Sequence, residues 1–275
     1  MNRGEKTIAS AVACAFLGVV SAASGALSAH QAGPIDLREA VKRIKPSVLG
    51  IGTFQATRRV PAQLIGTGFV VADGRHVLTS AHVYRLAIGD VAEEEKEKAT
   101  EFVVSFLQSD ENVTYRHLAL VAEDGAHDVA ILKFGGAALA PVTFGNDENV
   151  EEGQSIAFTG FPLGAVLGLY PVTHRGIVSA IAPIVLPAKT TGQLDAATIE
   201  QLRSTFLIFQ LDAVAYPGNS GSPLFDPATG VVYGMVNSAF VRQTKEKVLP
   251  EPTGISYAIP IRHALKLLQE KGLAR

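Results

Sequence analysis

From Val48 onward the apolar positions come in short runs rich in β-branched residues, broken at regular intervals by turn formers. The first set runs Val48 to Thr53, Leu64 to Val71, His76 to Thr79, Phe102 to Leu107, Leu118 to Ala122 and Val129 to Phe134. Turn signals such as Ala72-Asp73-Gly74 and Glu123-Asp124-Gly125 separate them, as an antiparallel meander requires. A second set follows at Ser155 to Thr159, Val172 to Ile184, Phe206 to Ala213, Val231 to Ser238 and Ile255 to Ile259. The polar stretch Gly145 to Gly153, with four acidic residues, lies between the sets. The pattern predicts an all-β chain of two antiparallel β-barrels or sandwiches in tandem, residues 36–145 and 146–275.

Three segments depart from it. Val91 to Glu101 is charge-rich with helix formers, and Asp195 can cap a short helix to Ser204; both read as surface insertions. At the end, Pro260 at a helix start, Ile261, Leu265 and Leu268 on one face and Gly272 as a stop predict a docked amphipathic C-terminal helix.

The N-terminus has a different grammar. Arg3 and Lys6 precede an apolar stretch from Ile8 to Val20, and small residues fill Ser21 to Ala29. Residues 1–29 therefore read as a secretory signal peptide, cleaved near Ala23 to Ala29. Ile8 to Ala29 is also long enough to be an uncleaved membrane anchor (residues 8–29), but its Ala, Ser and Gly content makes it a weak span. Export implies a periplasmic or secreted protein, in contact with membrane only if this segment is retained. The single cysteine, Cys14, falls inside it, so the mature chain has neither a disulfide framework nor a Cys nucleophile nor a Cys-based metal site.

Composition narrows the function classes. With 47% apolar and 18% charged residues in 275, the chain can bury a large core, and disorder is not the default. Its 26 glycines and 14 prolines, without a period, suit many strands and turns. A net charge of −2 with no long Lys/Arg run leaves no footprint for nucleic acid. His, Asp and Glu show no metal-type spacing, so no metal or other cofactor is expected.

Amide cleavage needs an activated nucleophile, a base, a group that holds the base and donors for an oxyanion. Three motifs offer the first three roles: His82 in Leu78-Thr-Ser-Ala-His-Val83, Asp128 in His127-Asp-Val-Ala-Ile-Leu-Lys133, and Ser220 in Pro217-Gly-Asn-Ser-Gly-Ser-Pro-Leu224. Each lies where an apolar strand gives way to a turn, where a rigid element can present a side chain to a cleft. His127, beside Asp128, is expected to face the opposite way, because adjacent strand residues point to opposite faces. Asp212 reads mainly as a strand-end residue.

The order His, Asp, Ser and the flanking motifs resemble the chymotrypsin-like serine peptidases, especially the HtrA/Deg branch. Further matching segments are Gly66-Thr-Gly-Phe-Val-Val71, Arg175-Gly-Ile-Val-Ser-Ala180, Gln210-Leu-Asp-Ala213 and Gly254-Ile-Ser-Tyr-Ala-Ile-Pro260. The resemblance implies two β-barrels with the site between them. It implies an oxyanion hole on the turn Gly218, Asn219, Ser220, with the backbone amides of Gly218 and Ser220 as donors. It also implies a substrate-pairing strand at Val236, Asn237, Ser238 and Ala239, and a primary pocket floored by Val214, which carries no charge and so suits small or medium apolar P1 residues. Extended or unfolded polypeptides are the implied substrates. HtrA relatives commonly form trimers, which leaves room for a homo-oligomer, although residues 30–45 carry no specific signal for one.

The departures from the family pattern are Ser222 in place of a Gly, Tyr216 in place of the Asn usual in the HtrA branch, and Asn219 where digestive relatives have Asp. Asn219 cannot pair ionically with a newly cut N-terminus, so activation of the trypsinogen kind is not expected. Only 275 − 260 = 15 residues follow Pro260, too few for a PDZ domain. Two competing readings are a non-peptide hydrolase such as an esterase, disfavoured because Gly218-Asn-Ser-Gly-Ser222 lacks the last Gly of a G-x-S-x-G elbow and the order is not Ser, Asp, His, and a catalytically inactive binding protein on the same fold.

Overall fold

The computed structural model describes residues 36–56, 58–59, 61–89, 101–109, 112–162, 170–184, 206–237 and 254–274. The N-terminal segment with Cys14, most of the Val91 to Glu101 insertion, Asp195 to Ser204, Ser238 and Ala239 lie outside the described residues.

Thirteen described strands form two antiparallel units. The first has seven: β1 (Val48–Gln55), β2 (Ala62–Val71), β3 (His76–Ser80), β4 (Glu101–Ser109), β5 (Asn112–His117), β6 (Ala119–Asp124) and β7 (Val129–Lys133), hydrogen-bonded in the order β5-β4-β1-β2-β3-β7-β6. Its two outermost strands, β5 and β6, are joined by Leu118 alone. A single-residue link cannot cross a flat seven-strand sheet, so the sheet is rolled until its edges meet. The second unit is a closed barrel of β8 (Ser155–Gly160), β9 (Val172–Pro183), β10 (Leu207–Asp212), β11 (Pro223–Phe225), β12 (Val232–Val236) and β13 (Ile255–Pro260), in the order β10-β13-β12-β11-β8-β9. The all-β, chymotrypsin-like architecture with a C-terminal helix is the one the sequence predicts.

Three α-helices lie among the described residues. α1 (Leu37–Ile44) starts at Asp36, whose carboxylate accepts from Arg38 N–H at 3.3 Å, and it buries Ala40 and Ile44. α2 (Ala81–Gly89) follows β3 without a break. α3 (Ile261–Glu270) begins directly after Pro260, buries Ile261, Ala264, Leu267 and Leu268, and ends near Gly272 at φ 67°, where Leu273 N–H bonds Leu268 O at 2.8 Å.

The largest apolar cluster belongs to both units at once. Phe69, Val71, Leu78, Val129 and Ile131 of the first pack with Phe161, Phe225, Met235 and Ile259 of the second, and α1 and α3 close over them. Each such side chain contributes about 1.5–3 kcal/mol when fully buried, so the two units are joined by core, not by a wet interface.

Candidate active site

The three candidate groups come from three kinds of local structure. His82 is the second residue of α2, in its first turn, where sequence reasoning expected a strand-end turn. Asp128 ends the turn before β7 in the left-handed region, φ 54°, unusual for a residue with a Cβ. Its position meets a local need, because the first amides of a helix lack intrahelical acceptors. Asp128 O accepts from Ala81 N–H at 3.1 Å and its Oδ1 from His82 N–H at 2.8 Å. The same carboxylate accepts from His82 Nδ1 through Oδ2 at 2.6 Å. An ionised carboxylate is acceptor-only, so Nδ1 carries the proton and Nε2 is left as the basic nitrogen. His82 and Asp128 keep 24% and 15% of their side-chain surface, enough for His82 to meet a substrate.

A third donor comes from the other barrel. Asn237, at the end of β12 and fully buried, donates from Nδ2 to Asp128 Oδ2 at 2.6 Å, while its N–H bonds Tyr257 O at 2.8 Å. The sequence points to Asn237 as part of a substrate-pairing strand; its side chain bonds Asp128. The long-range pairing left no periodic signal from which this role could be read.

Ser220 lies in the turn between β10 and β11 and is 3% exposed. The turn is held on two sides. Thr67 N–H donates to Ser220 O at 2.8 Å, Gly221 N–H to Val236 O at 2.8 Å, and Ser222 N–H to Asn219 O at 3.0 Å. Gly218 and Gly221 have φ of 98° and 87°. For Gly221 the requirement is also steric, since a Cβ there would meet Thr67 O at 1.9 Å. Gly66 plays the matching role on β2. A Cβ on it would meet Val83 Cγ2 at 2.6 Å and Ser220 O at 3.1 Å, so its bare backbone lets the helix bearing His82 and the turn bearing Ser220 close on each other.

Several expected roles change on this geometry. Asn219 N–H donates to Tyr216 O at 3.0 Å and therefore points away from any oxyanion, leaving Gly218 and Ser220 as candidate donors. Val236 is buried in the second barrel's core with Phe209, Leu211 and Ala258, and its N–H and C=O bond Ser222 O and Gly221 N–H, so that it anchors the turn. Val214 is half-buried, and the backbone around it is pinned by Ser256 Oγ, which donates to Ala213 O and accepts from Ala215 N–H, both at 2.7 Å. Tyr216 is exposed beside His174, and burial pushes the His174 imidazole below its usual value. Ser222 Oγ and the Asn219 amide are buried around Gly160, where a Cβ would lie 2.0 Å from Ser222 Oγ and 2.9 Å from Asn219 Oδ1.

His127 turns away from Asp128, although by turn geometry and not strand alternation. Its Nδ1 bonds Asp124 Oδ2 at 2.6 Å and its ring stacks on His263 of α3 with centroids 3.9 Å apart. Burial pulls the Asp124 carboxyl upward, but the His127 hydrogen bond and charge and two backbone amides outweigh it and hold it below the usual range. Burial, with the charges of His127 and Arg262, pushes His263 down to about 4 against the opposing pull of Asp124 and Asp147.

Residues 66–235 match the family described as trypsin-like peptidase domain. The chain belongs to that family. Among its curated relatives are probable periplasmic serine endoproteases described as DegP-like: one from Halomonas elongata, 31% identical over 207 residues, and one from Pseudomonas putida, 32% identical over 209. These alignments cover 75% and 76% of this chain but 35% of each relative, so the chain spans about a third of their length. A solved structure described as the HtrA-type protease AlgW with decapeptide superposes with a TM-score of 0.60 at 22% identity, over 86% of this chain and 67% of that one. At that identity the likeness bears on fold alone.

Proposed function

We propose that this chain is an exported serine endopeptidase in which Ser220 attacks the scissile carbonyl, His82 takes and returns the proton, and Asp128 orients and charges the pair. The observation that carries this is the His82–Asp128 pairing, reinforced by Asn237 and set against the turn of Ser220 across Gly66. With Nδ1–H held on Asp128, Nε2 of His82 accepts the Ser220 proton as the Oγ–carbon bond forms. The resulting imidazolium lies against the ionised Asp128, and the protonated His82 then donates to the leaving amine. Water repeats the sequence on the acyl-enzyme. The backbone amides of Gly218 and Ser220 are the donors to the developing oxyanion.

Two further parts of the reading follow the family and the names of the relatives. Substrates are extended or unfolded polypeptides cut after small or medium apolar residues at a pocket floored by Val214, and the site of action is the periplasm, as the relatives' names state for them. Assembly of several copies is compatible with the family. An esterase or an inactive binder has no observation in its favour. The decisive experiment is fluorophosphonate labelling of the mature chain beside cleavage of casein. Wild type should label and cleave, and Ser220→Ala should do neither, with a loss on the order of a millionfold in turnover. Turnover by Ser220→Ala within tenfold of wild type would remove Ser220 from its role.

A further inference from the structure

Thr67 is a fully buried residue of β2, in the first barrel, yet most of its polar atoms serve the second. Its Oγ1 donates to Gly218 O at 2.7 Å and accepts from Phe161 N–H at 3.0 Å. Its N–H donates to Ser220 O at 2.8 Å, and its own carbonyl accepts from Thr79 Oγ1 at 2.7 Å. Four hydrogen bonds thus run through one residue, and two of them end on carbonyls of the turn that bears Ser220.

Those two carbonyls set the direction of the turn's amides. In a trans peptide the C=O and the following N–H point in opposite directions. With Gly218 O drawn to Thr67, the next amide, Asn219 N–H, is sent to Tyr216 O at 3.0 Å; with Ser220 O drawn to Thr67 N–H, Gly221 N–H is sent to Val236 O at 2.8 Å. The carbonyl between them, Asn219 O, is taken by Ser222 N–H at 3.0 Å. The peptide that carries Ser220 N–H and the two that flank it are therefore fixed, and Thr67 supplies two of the three contacts on their carbonyl oxygens. Gly218, at φ 98°, lacks the Cβ that would restrict rotation on its own.

We propose that the Thr67 hydroxyl is a positioning group for the oxyanion-binding turn, holding the Gly218–Asn219 peptide from the opposite barrel so that the Ser220 amide faces the reacting carbonyl. The proposal rests on the serine-peptidase reading. It assigns to Thr67 a contribution to the transition state and little to ground-state binding, because the hydroxyl touches the turn and not the substrate.

The test compares Thr67→Val, which keeps the shape and removes the hydroxyl, with Thr67→Ser, which keeps the hydroxyl. For a chromogenic peptide, Thr67→Val should lower kcat about ten- to hundredfold, the range expected when a buried hydrogen bond is broken and its partner left unpaired, with KM within about threefold. Affinity for a peptide boronate, which mimics the tetrahedral state, should fall in step with kcat, and affinity for a cleaved product peptide should not. Thr67→Ser should restore kcat. A readout independent of turnover is amide exchange by mass spectrometry on the segment containing Gly218 and Ser220, which should quicken in Thr67→Val and recover in Thr67→Ser. If wild type neither labels with fluorophosphonate nor cleaves, the peptidase reading falls, and unchanged exchange would then separately remove Thr67 as the group that orders the turn. If wild type is active and Thr67→Val matches it in kcat, boronate affinity and exchange, the Thr67 proposal alone is overturned. A Thr67→Val loss that appears equally in boronate and product affinity overturns it too, by assigning the residue to general stability.

Discussion

Gly221→Ala tests how closely the turn carrying Ser220 is fitted to the opposite barrel. Two penalties are built into the position. The backbone is at φ 87°, where a Cβ costs about 1–2 kcal/mol, and that Cβ would lie 1.9 Å from Thr67 O and 2.6 Å from Thr79 Oγ1. An ordinary carbon–oxygen contact is more than an ångström longer than the first of these, and the obstacle is strand backbone, so the turn must move. Overpacking of a closed interior adds about 1–3 kcal/mol, for a total of about 2–5 kcal/mol. Gly136 is the control, since its φ is 89° but nothing lies within 4 Å of a Cβ placed there; Gly136→Ala should show the conformational cost without the collision. Urea denaturation of the three proteins reads the difference. The folded fraction of Gly221→Ala should also label with fluorophosphonate about a hundredfold more slowly, as a displacement of about 1 Å at a reacting group can cost that much. If Gly221→Ala and Gly136→Ala lose the same stability, or Gly221→Ala labels within threefold of wild type, the fit inferred between β2 and the turn is wrong.

Other outcomes follow from the same geometry. Asn237→Asp replaces a donor 2.6 Å from Asp128 Oδ2 with a second buried carboxylate, so urea stability at pH 8 should fall by about 3 kcal/mol, and by less at pH 5, where the two can share a proton. His263 has its folded value lowered to about 4, against about 6.5 in an unfolded chain. The unfolded state therefore binds the extra proton first, and the stability owed to neutral His263 is present above pH 6.5 and is lost as pH falls toward 4. Allowing for solvent screening at a partly exposed ring, the loss is about 1–2 kcal/mol, and His263→Gln should flatten that stretch of the urea–pH profile. A peptide library read by mass spectrometry should show cleavage after Val, Ala, Ile or Leu in preference to Lys or Arg, and Val214→Asp should raise basic P1 residues; wild-type cleavage mainly after Lys or Arg would contradict the pocket assignment.

The strands were legible because their periods and turn residues are local. Alternation and β-branching marked eleven runs that match described strands, including β2 and β9. The short or unusual elements escaped for identifiable reasons. α1 does carry a cap at Asp36 and apolar residues at Leu37, Ala40, Val41 and Ile44, a helical spacing that could have been read. α2 was hidden because Ala81-His-Val83 continues the apolar run of β3, and its N-terminal acceptors come from Asp128, 46 residues away. β11 has three residues and opens with Pro223, too little for any periodicity. At the site, the motifs point to the proposed reacting side chains, but the supporting roles of Asn237 and Thr67 carry no local signal, because they act across 109 and 151 residues of sequence. The bonds of Val236 to Gly221 and Ser222 are equally silent in the sequence, since a strand beside a site looks the same whether it serves a substrate or the turn.

The long-range bonds are also reciprocal, and this bears on how the site depends on the fold. β12 of the second barrel sends Asn237 to Asp128 of the first, and β2 of the first sends Thr67 to the turn of Ser220 in the second. Each barrel carries part of the chemistry and part of the support for the other's share. A shift of one barrel past the other would loosen the proposed base and the proposed nucleophile together, even with both barrels intact. The shared core of Phe69, Leu78, Phe161, Phe225 and Met235, closed by Ala40 of α1 and Leu268 of α3, therefore helps set the geometry on which the proposed mechanism depends. Cavity-forming substitutions there, such as Phe161→Ala, should slow fluorophosphonate labelling of the folded protein more than equally destabilising substitutions inside a single barrel, such as Phe209→Ala.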